Sequence, residues 1–95
     1  MSQLLTSLEA ENDFINIWQY ISDDSLQNAD RFLDYLYDQA IKLSFAPEIG
    51  ALHSELGIDI RIFPVKSYLL IYKPISNGII LLRVLHGSVN YSQLF

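Results

Sequence analysis

The sequence predicts a single α+β domain of order β-α-α-β-β-β, in which a two-helix antiparallel hairpin packs on one face of a mostly antiparallel sheet. Two observations carry this expectation. Apolar residues recur at three- and four-residue spacing between Ser7 and Phe45, the period of an amphipathic helix. From Ile58 onward the period drops to two, that of a strand. With 95 residues, half of them apolar, the chain has material for one core and therefore one domain over 1–95.

The first helix follows from Ala10, Phe14, Ile17, Trp18 and Ile21, which share one face between Ser7 and Ile21. Thr6 with Glu9 forms a potential capping box, and Ser7 is the alternative cap. Ser22-Asp23-Asp24-Ser25 interrupts the pattern as a short turn. A second helix then runs from about Leu26 to Phe45, with Ala29, Phe32, Leu33, Leu36, Ala40, Ile41 and Leu43 inward, and Pro47 stops it. Gly50 and Gly57 bracket a loop that contains His53. Three strands follow, around Ile58–Phe63, Tyr68–Lys73 and Ile79–His86, with Asn77-Gly78 expected to make a type I′ turn before the last. Leu4-Leu5 adds a short strand ahead of the helices. In the last strand Ile79, Leu81 and Leu85 alternate with Ile80, Leu82 and Val84, so both faces look buried. The helices cover one face, which leaves the other for a partner chain.

Composition narrows the function classes. There is no Cys, hence no disulfide and no thiolate metal site, which suits a reducing cytosol and a cytoplasmic location. The N-terminus lacks a basic region followed by a long apolar stretch, so no secretory signal is expected, and no apolar run approaches the roughly 20 residues that cross a bilayer. The charge is divided: residues 1–59 hold all eleven acids against Arg31 and Lys42, a net −9. Residues 60–95 hold Arg61, Lys66, Lys73 and Arg83 without an acid, a net +4. An anionic partner would meet the back half, and the acidic front half makes direct nucleic-acid binding unfavourable.

Arg61 and Arg83 can bind phosphate bidentately, His86 can move protons near neutral pH, and Lys66 or Tyr91 could assist. Yet Arg83 and His86 have opposite parity on a regular strand and meet only if it bulges or ends between them. An acidic base must come from Glu48 or Glu55 folding back. The plainer role for Arg83 is an ion pair with the acidic helices or with a partner, and for His86 a strand-end hydrogen bond. Tyr68 and Tyr72 share a face with Leu70 as core or partner contacts. Asp30, Asp34 and Asp38 form a solvated stripe. His53 has no companion at metal-ligand spacing, so neither a metal nor another cofactor is expected.

The segments "DFINIWQYI" (13–21), "ADRFLDYLYDQAIKL" (29–43), "APEIG" (46–50), "RIFPVKSYLLIYK" (61–73) and "ILLRVLHG" (80–87) resemble, in this order, the ParE-type toxins of the RelE/ParE toxin–antitoxin superfamily. The resemblance implies a RelE/ParE-like fold and the toxin of a type II system, used in plasmid maintenance or stress response. It implies neutralisation by a ParD-like antitoxin, forming a hetero-oligomer. It also implies inhibition of DNA gyrase by holding cleaved DNA open, without enzymatic chemistry. Target- or antitoxin-binding residues on this reading are Arg61, Lys66, Tyr68, Tyr72, Arg83, His86 and Tyr91. The RelE branch implies an alternative, a ribosome-dependent mRNA endoribonuclease using Arg61, Arg83 and His86; a third reading is an inactive toxin-fold binding partner. The sequence departs from the family pattern in carrying Lys66-Ser67 where glycine is common, and in being unusually acidic.

Overall fold

The computed structural model describes residues 2–95. Strand β1 (Gln3–Thr6) leads into helices α1 (Leu8–Ser22) and α2 (Leu26–Phe45); strands β2 (Ala51–Leu52), β3 (Arg61–Val65), β4 (Tyr68–Ile75) and β5 (Gly78–His86) follow, with single 3-10 turns at Ser54–Leu56 and Tyr91–Leu94. The sheet runs β1-β5-β4-β3-β2. Only β1 is parallel to its neighbour, β5, so the sheet is mostly antiparallel as expected. Strand β2, two residues long, is an addition that its sequence does not signal.

The helices start on serine caps. Ser7 Oγ accepts from the Ala10 N–H at 3.0 Å, and Ser25 Oγ accepts from the Asn28 N–H at 3.2 Å. The capping box does not form, because the Thr6 hydroxyl bonds Glu11 instead. Phe14 stacks on Tyr37 with ring centroids 4.2 Å apart, and the Trp18 indole N–H donates to Asp30 at 2.8 Å. These contacts fasten the hairpin. Ile41 corrects the inward list: it is 46% exposed, because it lies four residues from both Tyr37 and Phe45 and shares their outward ridge, while Ala40 and Leu43 take the inward positions.

The core against the helices comprises Ala10, Phe14, Ile17, Leu36, Ala40 and Leu43 with Val65, Leu70, Tyr72, Ile79, Leu81 and Val84 of the sheet. The opposite face is also covered, by the chain itself. Leu56 and Ile60 from the β2–β3 connection and Tyr91 from the tail pack with Ile62, Ile71 and Leu85. The expected need for a partner chain over this face is therefore removed. The expected parity of β5 is corrected as well. Ile71 pairs with Arg83 but Tyr72 pairs with Leu81, so Leu82 is an extra residue, and this bulge puts Val84 on the helix face and Leu85 on the other.

The β3–β4 hairpin closes in a tight turn at Lys66-Ser67, with Val65 paired to Tyr68 and Lys66 at a φ of 57°. The turn before β5 differs from expectation: neither Ser76 nor Asn77 has a positive φ, so Asn77-Gly78 is not a type I′ turn. Gly78 instead opens β5 at a φ of 148°.

Candidate functional site

The β5 bulge is anchored by Asp13. A bulge leaves ladder groups unpaired, and here the α1 side of β5 receives them. The Val84 N–H donates to Asp13 Oδ2 at 2.9 Å, and the Leu82 carbonyl accepts from Ser7 Oγ at 2.8 Å. Arg83 closes a bidentate pair on the same carboxylate, Nε to Oδ2 at 2.8 Å and Nη2 to Oδ1 at 3.0 Å. Those hydrogen bonds push the Arg83 guanidinium above its ordinary pKa, against the opposing effect of partial burial. Arg83 thus has the ion pair with an acidic helix that its sequence allowed. Asp13 was not singled out from sequence, although a signal exists. It falls between Ala10 and Ile17 in the inward stripe of α1, where a carboxylate needs a partner.

Arg61 and Tyr72 are brought together. They are paired across β3 and β4, and both reach the loop after α2. Arg61 Nη1 donates to the carbonyls of Gly50 at 2.8 Å and Glu48 at 3.2 Å. The Tyr72 hydroxyl donates to the Pro47 carbonyl at 2.7 Å and accepts from the Gly50 N–H at 2.8 Å. The pair clamps residues 47–50. Tyr72 is fully buried, and burial raises its phenol pKa, so it serves as a fixed strut and presents no contact surface to a partner. Tyr72→Phe should cost about 1–3 kcal/mol in chemical denaturation, because the Gly50 N–H loses its acceptor in a buried site. A loss below a few tenths of a kcal/mol would show that the clamp does not hold the loop.

His86 sits at the other end of the sheet. It pairs with Tyr68, four residues from Tyr72 along β4 and therefore about 13 Å away at strand rise. The Ser88 N–H donates to His86 Nδ1 at 3.1 Å and the Ser88 hydroxyl lies 2.7 Å from the same atom, which puts the proton of the neutral ring on Nε2. Tyr68 meets His86 edge to face at 5.4 Å, and burial raises the Tyr68 phenol. With Tyr20, Ile21, Phe32 and Ser67 they line an open cavity of about 530 Å³ that, among the described residues, contains no carboxylate and no arginine. Lys66 lies 5.5 Å from the Tyr35 ring centroid, and Tyr91 packs edge-on to His53 at 6.3 Å on the far face.

The seven predicted residues therefore form no single constellation. Arg61 with Tyr72, Arg83 with Asp13, and His86 with Tyr68 occupy three places. Neither carboxylate considered as a base joins His86: Glu48 lines a separate concavity with Phe45 and Ile49, and Glu55 bonds His53 at 3.0 Å, which lowers its carboxyl pKa. Among the described residues no three His, Asp or Glu side chains gather as metal ligands. No described helix is long and apolar enough to cross a membrane.

Comparison with known proteins places this arrangement. No curated protein sequence matches the chain. Among solved structures it is similar to a chain of the "Chromosomal ParDE TA system from P. aeruginosa", with a TM-score of 0.74 and 17% identity over 90% of this chain and 96% of that one. This is a likeness of fold. The family described as "ParE toxin of type II toxin-antitoxin system, parDE" matches residues 4–91, from β1 through the Tyr91 contact on the second sheet face, so this chain belongs to the ParE toxin family of type II toxin–antitoxin systems.

Proposed function

We propose that this ParE-family toxin inhibits DNA gyrase by binding it, with no chemical step of its own, and that a ParD-like antitoxin neutralises it. The observation that carries this reading is the dispersal of the groups a nuclease would need. Phosphoryl-transfer catalysis requires an acid–base pair and cations converging within hydrogen-bond reach of one reacting centre. Here Arg83 is committed to Asp13, Arg61 to loop carbonyls, and His86 Nδ1 to Ser88, at separate places on the sheet. The net −9 of residues 1–59 also favours a protein target over a nucleic acid. Gyrase works in the cytoplasm, which sets the proposed location.

The test is ATP-driven supercoiling of relaxed plasmid by gyrase with added toxin. Wild type should inhibit in proportion to the toxin added, and His86→Ala should still inhibit, since inhibition by binding needs no proton transfer at that ring. Untouched supercoiling at a large molar excess of folded toxin would overturn the reading.

A further inference from the structure

The cavity beside His86 opens where the turn end of the helical hairpin meets the β3–β4 turn and the end of β5. Tyr20 and Ile21 come from the last turn of α1, Phe32 from α2, Ser67 and Tyr68 from the turn into β4, and His86 from β5. Its volume of about 530 Å³ falls in the ~300–1,000 Å³ range of small-molecule clefts. Most of the wall is aromatic, and the rings brace one another. Phe32 tilts against Tyr68 with centroids 5.6 Å apart, and Tyr68 meets His86 edge to face at 5.4 Å. The surface a ligand would stack on is therefore set before anything binds.

The polar groups on these walls are neutral, and each can donate. His86 Nδ1 is occupied by Ser88, which leaves Nε2–H as the free donor of the neutral ring. Among the described residues the hydroxyls of Tyr20, Ser67 and Tyr68 have no hydrogen-bond partner either. Burial raises the Tyr68 phenol pKa, and the Tyr20 phenol on the same cavity adds to the rise. No carboxylate, arginine or lysine lines the space. Lys66, although next to Ser67 in the chain, lies over the Tyr35 ring at 5.5 Å, and the acidic pair Asp23-Asp24 follows shortly after Ile21. An anion would meet no counter-charge on these walls, and a cation would meet no carboxylate.

We infer that this cavity is a binding site for an uncharged, planar heteroaromatic molecule. Its rings stack on Phe32, Tyr68 and His86, and its carbonyl or ring-nitrogen acceptors take hydrogen bonds from the hydroxyls and from His86 Nε2–H. Such a ligand ties the hairpin to the end of the sheet. The site goes beyond gyrase inhibition and does not depend on it: supercoiling reads the target, whereas ligand binding is read on the toxin alone.

The probe is caffeine, which is planar and uncharged and carries acceptors but no donor. Titrated into the full-length toxin and followed by two-dimensional NMR, it should give saturating shifts around Ser67, Tyr68 and His86 with a Kd below about 1 mM, the scale for a ligand of this size. Indole, a fused ring with a donor and no acceptor, should bind about fivefold more weakly. Tyr68→Phe keeps the ring and removes only its hydroxyl, and His86→Ala changes an exposed residue, so the fold survives both. Each should weaken caffeine about three- to tenfold, the scale of one lost hydrogen bond. Tyr91→Phe, a phenol on the far sheet face, should leave it unchanged. Shifts that do not saturate or that lie elsewhere overturn the inference, as does an affinity indifferent to both cavity variants. Equal binding of indole overturns the role of the acceptors. Tighter binding of adenosine monophosphate or of tetramethylammonium at these residues would make the ligand an anion or a cation and overturn the assignment of an uncharged one.

Discussion

Asp13→Ala should be the most damaging single substitution outside the apolar core, costing about 3–5 kcal/mol in equilibrium unfolding, the range for stripping one partner from a buried ion pair. One carboxylate accepts three hydrogen bonds, two from Arg83 and one from the Val84 N–H freed by the bulge. Its loss leaves a guanidinium only 23% exposed without a counter-charge and a buried backbone donor without an acceptor. In a domain of this size the loss should appear as a fall in Tm on the order of 15 °C. Asp13→Ala/Arg83→Met should recover part of the loss by removing the stranded charge, though the Val84 N–H stays unpaired. A cost under about 1 kcal/mol for Asp13→Ala would mean the bulge is held by something else.

Gly78→Ala should come close to it. A Cβ on Gly78 would fall 1.9 Å from the Gln3 carbonyl oxygen, which is backbone and cannot swing away, and the φ of 148° is one that L side chains rarely adopt. Backbone strain of this kind costs about 1–3 kcal/mol. Detaching β1 from β5 adds to it, since Gln3 pairs with Gly78 at the start of their parallel ladder. Because β1 leads directly into Ser7 and α1, amide exchange should accelerate over residues 3–7 before the rest of the sheet. Retained protection there, with wild-type stability, would contradict the packing described.

How much of this was legible in the sequence follows from the range of the interactions. Helix α2 ended where Pro47 and the apolar spacing said it would, because both are local. The bulge at Leu82 was illegible, since Ile79–Leu82 is a continuous apolar run in which a parity slip changes nothing that can be counted. Cover over the second sheet face comes from Leu56, Ile60 and Tyr91, distant in sequence from Ile71 and without a pattern linking them to it. For the candidate site, strand parity set Arg83 and His86 on opposite faces, yet both side chains reach the helix side, Arg83 to Asp13 and His86 beside Tyr20, Ile21 and Phe32, and it is their different partners that separate them. The Arg61–Tyr72 clamp depends on cross-strand register, which the turn at Lys66-Ser67 fixes only once folded. Ile41 was placed inward because Ala40 and Leu43 beside it are, and an apolar residue at the margin of a helical stripe reads the same whether it faces the core or a partner.

The central claim is that this toxin acts by holding gyrase on its DNA and performs no chemistry itself. It is tested most directly by incubating supercoiled plasmid with gyrase, ATP and the purified protein, then adding detergent and protease and running the DNA on a gel. Linearised plasmid should accumulate in proportion to toxin and only when gyrase is present, while mRNA on translating ribosomes exposed to the same toxin stays intact. No linear DNA, together with codon-positioned mRNA cleavage that His86→Ala or Arg61→Ala abolishes, would contradict it.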